Sequence, residues 1–181
     1  MRKLLPLLAV AVFFTASFAN AQLGQTTVTN VLDVTVLQEA ALTIQSGHTF
    51  LTSPGTNFSP YTGTTNFIYF IRTTKSGGTG SITLQVTTDF SGTPGASPSV
   101  VSPPTGTDAL TYGCTVATPA SACTGPVTAL HTTPTNVATF GANAHSIFAG
   151  NSGSVVWSLT NDPLYETGNY QATVTYTISA T

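Results

Sequence analysis

Hydrophobic and polar residues alternate with a period of two over much of this chain, and that period is the signature of β-strands. The alternation is most regular from Gly168 to Ser179. Tyr170, Ala172, Val174, Tyr176 and Ile178 share one face there, and Gln171, Thr173, Thr175, Thr177 and Ser179 share the other. One apolar and one hydroxyl-rich face predict a strand of an antiparallel sandwich, with a core on one side and water on the other. The rest of the chain is expected to be organised around this strand and to supply the second half of its core.

The same alternation predicts a long first strand from Thr26 to Leu37, with Val28, Leu32, Val34 and Val36 in phase and Asn30 as the polar exception. Gln38 and Glu39 interrupt it before Ala40 to Ile44 resumes. Gly47 to Thr65 reads as loop from its Gly, Pro, Ser, Thr and Asn content. Phe67 to Ile71 is a continuous apolar run, expected for a strand buried on both sides or at the sandwich centre. Gly77-Gly78-Thr79-Gly80 then turns the chain into the alternating Ile82, Leu84 and Val86, so the two runs predict a hairpin. A phosphate-binding loop would need a helix after those glycines, whereas a strand follows.

Four prolines place Ser91 to Thr107 in a surface loop. Further strands are expected at Leu110 to Val116, Val127 to Leu130, Val137 to Phe140, Ser146 to Ala149 and Ser154 to Leu159, and no stretch has helical periodicity. The prediction is an all-β fold, an immunoglobulin-like antiparallel β-sandwich.

Residues 1–21 stand apart from this pattern. Arg2 and Lys3 precede an apolar run from Leu4 to Phe14, and Ala19-Asn20-Ala21 supplies a small-x-small cleavage site, so they read as a signal peptide. Residues 22–181 are then expected to form one secreted domain. No later stretch reaches the ~20 apolar residues of a transmembrane anchor. The expected location is extracellular, at the cell surface or in a periplasm.

After cleavage, Arg72 and Lys75 stand against six carboxylates, a net charge of −4. Nucleic acid is excluded as a partner, because a phosphate backbone needs clustered cations. Charged residues are 6% of the chain, against roughly 25% in an average soluble domain. Solubility therefore rests on Thr, Ser, Asn and Gly.

Cys114 and Cys123 are the only cysteines, and export predicts a disulfide between them. Since they flank Pro119 in one turn, the bridge is expected to tie two limbs of one hairpin. Zinc would need two further ligands, and His131 is the nearest histidine. His48, His131 and His145 are scattered singly, and no Gly-x-Ser-x-Gly elbow is present. Asn161, Asp162 and Glu166 lie close enough for a calcium loop or a carboxylate pair, with a turn and its solvated flank as the simpler reading. Asn57-Phe58-Ser59 matches the glycosylation pattern. Tyr61, Tyr112 and Tyr165 are the aromatics expected on loop surfaces. No catalytic, cofactor or metal residues are assigned, and the chain is not expected to be an enzyme.

Trp157-Ser158-Leu159, Asn161-Asp162-Pro163 and the ending Gly168-Asn169-Tyr170 to Val174-Thr175-Tyr176-Thr177-Ile178 resemble the closing strands of WxL cell-surface domains. Tyr176 and Ile178 stand where that family has its second Trp and Leu. The same Gly-x-Tyr-x-x-x-Val-x-Tyr ending is similar to pilin subunits of the chaperone-usher and spore-coat-U-like type, although the cysteine placement departs from theirs. That resemblance implies an incomplete immunoglobulin-like fold completed by the N-terminal strand of the next subunit. Val28, Leu32, Val34 and Val36 are then a candidate donor strand, the competing reading being that this strand folds back into its own sandwich. The expected role is a secreted structural or adhesive surface protein that self-associates into fibres. The alternative is a noncatalytic carbohydrate-binding module whose partner is a cell-surface polysaccharide.

Overall fold

The computed structural model describes residues 27–181; the expected leader, its cleavage before Gln22 and residue Thr26 lie outside the described residues. The chain divides into two units, Met1–Thr35 and Val36–Thr181. The second holds nine strands: β1 Glu39–Ile44, β2 Tyr61–Arg72, β3 Gly80–Thr88, β4 Leu110–Val116, β5 Ser121–Ala122, β6 Val127–Thr128, β7 Thr135–Phe140, β8 Asn151–Leu159 and β9 Thr173–Ala180. No helix occurs among the described residues. The strands form a five-stranded sheet, β1-β2-β8-β4-β6, and a four-stranded sheet, β5-β7-β3-β9. Every pairing is antiparallel, and the two sheets pack as a β-sandwich.

The core lies between the sheets, where the period of two places it. Phe67, Tyr69 and Ile71 from β2, Val155, Trp157 and Leu159 from β8, and Leu110 and Tyr112 from β4 face Ile82, Leu84 and Val86 from β3 and Val137 and Phe140 from β7. Gly153 sits opposite Phe67 in the β2–β8 register. A Cβ at that position would overlap the Phe67 ring, so a glycine there lets the large side chain lie flat on its neighbour.

Several expectations are corrected. The run from Phe67 to Ile71 is buried on one face only, since Ile68 and Phe70 point outward. Phe67–Ile71 and Ile82–Val86 do not form a hairpin, because β2 and β3 belong to different sheets. The Gly77–Gly80 turn therefore carries the chain across the sandwich. β2 begins at Tyr61, earlier than loop composition suggests, because Tyr61 to Thr65 pair with Val155 to Leu159 of β8. Ser146 to Ala149 is not a strand: it has no ladder partner, and Ile147 and Phe148 are exposed.

The first expected strand is also absent. Residues 27–38 carry no strand, and β1 starts at Glu39. Alternation alone does not make a strand when no neighbouring edge supplies its hydrogen bonds. The final strand is shorter than its pattern, starting at Thr173. It stands at the edge of its sheet with β3 as its sole ladder neighbour, so it is not an organising centre.

Candidate assembly site

The two long flanks of the sandwich are built differently. On one flank β1 and β9, each an outermost strand, lie across from one another. The inward side chains Ala40, Leu42 and Ile44 of β1 and Val174, Tyr176 and Ile178 of β9 pack on the core yet stay partly exposed. The equivalent side chains of β3, one strand inward, are fully buried. This flank is therefore less completely buried than the strand beside it. β9, Thr-Val-Thr-Tyr-Thr-Ile-Ser-Ala, is outermost in its sheet and has no charge, no proline and no glycine. Edge strands ordinarily carry such residues to prevent pairing with other chains.

Tyr176 packs inward on this flank, its ring 6.5 Å from that of Phe67. Its hydroxyl is buried and has no hydrogen-bond partner. Burial pushes its pKa up to about 12. The Thr65 hydroxyl, which opposes that shift, bonds instead to Trp157 Nε1 at 2.9 Å and Thr49 Oγ1 at 2.7 Å.

The candidate donor residues are exposed, at 89% for Val28, 87% for Leu32, 85% for Val34 and 64% for Val36. Val28, Leu32 and Val34 lie in the first unit, in a stretch without ladder partners. Val36 and Leu37 open the second unit, where Arg72 Nε donates to the Leu37 carbonyl at 2.6 Å and Arg72 pairs with Glu39 at 2.8 Å.

On the opposite flank Cys114 and Cys123 are joined. The expected pairing is present, but its role differs from a hairpin tie. Cys114 lies in β4 of the five-stranded sheet and Cys123 directly follows β5 of the four-stranded sheet, so the bridge links the two sheets. The short strand β5, invisible in the residue pattern, makes this difference. Tyr112 spans the same gap: its hydroxyl lies 2.8 Å from Thr135 Oγ1 and 2.9 Å from the Asn136 carbonyl, two oxygens that share its one hydrogen.

The other candidates stay apart. His131 Nδ1 lies 2.9 Å from the Val86 carbonyl, His145 Nε2 lies 3.0 Å from Asn143 Oδ1, and His48 stacks beside Phe50. The Thr105 hydroxyl and the Leu164 N–H hold Asp162 below the usual carboxylate range. Those bonds make it a turn-stabilising group. Among the described residues, no three His, Cys, Asp or Glu side chains converge as a metal site. Asn57 is exposed at a loop with positive φ. Tyr112 is not a surface aromatic but core, and Tyr61 and Tyr165 are half-buried. Burial and the neighbouring Asp108 carboxylate raise the Tyr165 pKa.

The sequence pattern singled out Val28, Leu32, Val34 and Val36 but not the β9 edge. The missing signal was strand order, which alone makes β9 outermost in its sheet. Comparison with protein-family models, curated proteins and solved structures returns no match.

Proposed function

We propose that this chain is the subunit of a secreted structural or adhesive surface assembly, an incomplete immunoglobulin-like sandwich joined to its neighbours by β-strand pairing. The observation that carries this reading is one chain with both complementary parts. It has an exposed apolar alternation at Val28, Leu32, Val34 and Val36, and an uncharged outermost strand, β9, whose inward side chains stay partly exposed. Main-chain hydrogen bonds to the β9 edge hold the neighbour's segment, and its alternate side chains cover the partly exposed ones beside that edge. Such a head-to-tail contact does not close on itself, so it extends into filaments. The Cys114–Cys123 bridge is in keeping with an oxidising compartment. The carbohydrate-module reading loses support, because the tyrosines assigned to its platform are buried or half-buried.

The test is the size of the purified protein with increasing concentration, by light scattering and electron microscopy, alone and with excess synthetic peptide covering residues 27–37. Filaments that the peptide blocks are expected. An intact, folded protein that stays monomeric at high concentration sinks the proposal.

A further inference from the structure

Arg72 and Lys75 are the only arginine and lysine side chains among the described residues, and they stand at one place. Both line a cavity of about 260 Å³ in the second unit, together with Leu37, Asn143 and His145, and no carboxylate lines it. The backbone makes this convergence. Arg72 closes β2 and bridges His145 as an antiparallel pair, an arrangement that sets the two side chains beside each other on one face. The Asn143 N–H donates to the Thr74 carbonyl at 2.9 Å, so Asn143 is held against the residue before Lys75.

Hydrogen-bond donors are left over here. Arg72 is fixed at two points, Nε on the Leu37 carbonyl and Nη2 on Glu39, so its Nη1 hydrogens are unspent. His145 Nε2 lies 3.0 Å from Asn143 Oδ1, which leaves the Asn143 amide NH2 to donate elsewhere. Lys75 is exposed and makes no ion pair among the described residues. Glu39 offsets one of the two cations, and the other side-chain carboxylates of the second unit are remote. Asp108, Asp162 and Glu166 lie beyond Leu110 and Leu159, at the level of Tyr61, and Asp89 follows the end of β3 away from the Gly77–Gly80 turn. Tyr61 and Arg72 are the two ends of a 12-residue strand, ~36 Å apart, well over the ~8 Å Debye length of physiological salt. The side chains at the cavity therefore keep a net positive charge.

A guanidinium, an ammonium and an amide on separate side chains suit an anion with more oxygens than a carboxylate, because each oxygen can accept on its own. Two cations make no track for a polyanion, so the ligand is a single group. We propose that this cavity binds one oxyanion of the sulfate or phosphate class through Arg72, Lys75 and Asn143, a function separate from strand pairing and resting on different residues.

The test titrates the intact, isotope-labelled protein with sodium sulfate, sodium phosphate or dextran sulfate, each against sodium chloride at matched ionic strength. The NMR signals followed are the Arg72 Nε–H and the main-chain amides of Lys75 and Asn143. Shifts that saturate with a single dissociation constant are expected. Lys75→Gln and Glu166→Gln, both at exposed positions, are first shown by thermal unfolding to be folded. Lys75→Gln should bind about tenfold more weakly, the worth of one charge-assisted hydrogen bond, whereas Glu166→Gln at the far end should titrate as wild type does. Saturation by the free salts assigns the site to the free anion, and saturation by dextran sulfate alone assigns it to a group carried on a polysaccharide. Shifts no different from those in chloride overturn the proposal, as does an unchanged titration of Lys75→Gln.

Discussion

The two flanks of the sandwich solve the same problem in opposite ways. Where β5 and β6 end the sheets, each strand has only two residues, and the gap between sheets is spanned by a disulfide and by the Tyr112 hydroxyl. Where β1 and β9 end them, the strands have six and eight residues, no covalent tie spans them, and their inward side chains remain partly exposed. A chain that closes one flank with a cross-link and leaves two longer outermost strands on the other has a polarity.

The sharpest way to break this comparison is to truncate one side chain from each environment. Leu84, fully buried in β3, should cost about 3 kcal/mol on replacement by Ala, transfer plus cavity. Ile178, partly exposed on the edge strand β9, should cost about 1 kcal/mol in the isolated chain, because less apolar area returns to water. Urea denaturation of both variants checks this, and equal losses would mean that the flank is already closed. The bridge comes next. Its sequence separation of 9 gives about 2.5 kcal/mol in the chain-entropy model. Replacing Cys114 and Cys123 by Ser should lower the urea midpoint accordingly without abolishing the fold, as the core strands do not depend on it.

Much of this architecture was legible in the residues, for a definite reason. The period of two assigned Val174, Tyr176 and Ile178 to the inner face of β9 and Val155, Trp157 and Leu159 to that of β8, because facing follows from local geometry. Sheet membership does not. The Gly77–Gly80 turn suits a hairpin as well as a crossover, and only the long-range pairing of β2 with β8 and β3 with β9 distinguishes them. The same gap hid the bridge's role. The Cys114–Cys123 pair was predictable from count and compartment, whereas its span between sheets depends on β5, two residues whose pairing with β7 is non-local. Val28, Leu32, Val34 and Val36 stood out because they are apolar and alternate. That they lie outside any strand could not be read from a pattern identical to that of a paired strand.

The smallest predicted effect contrasts two tyrosines. Tyr112 donates across the closed flank, so Tyr112→Phe strands its acceptors and should cost about 1 kcal/mol. Tyr176 has a buried hydroxyl without a partner on the open flank, so Tyr176→Phe removes a desolvated polar atom and should leave thermal stability unchanged or slightly raised. Alkali sharpens the contrast. Burial raises the folded pKa of Tyr176 from 10.0 to about 12, so the folded state holds its proton after the unfolded chain has lost it. The contribution of this residue is therefore full below pH 10 and is lost as pH rises toward 12. Between those values Tyr176→Phe should lose less stability than the wild type does, measured as the urea midpoint across a pH series. Parallel curves for the two proteins would mean that the Tyr176 hydroxyl is solvated, and that the open flank is wetter than its packing indicates.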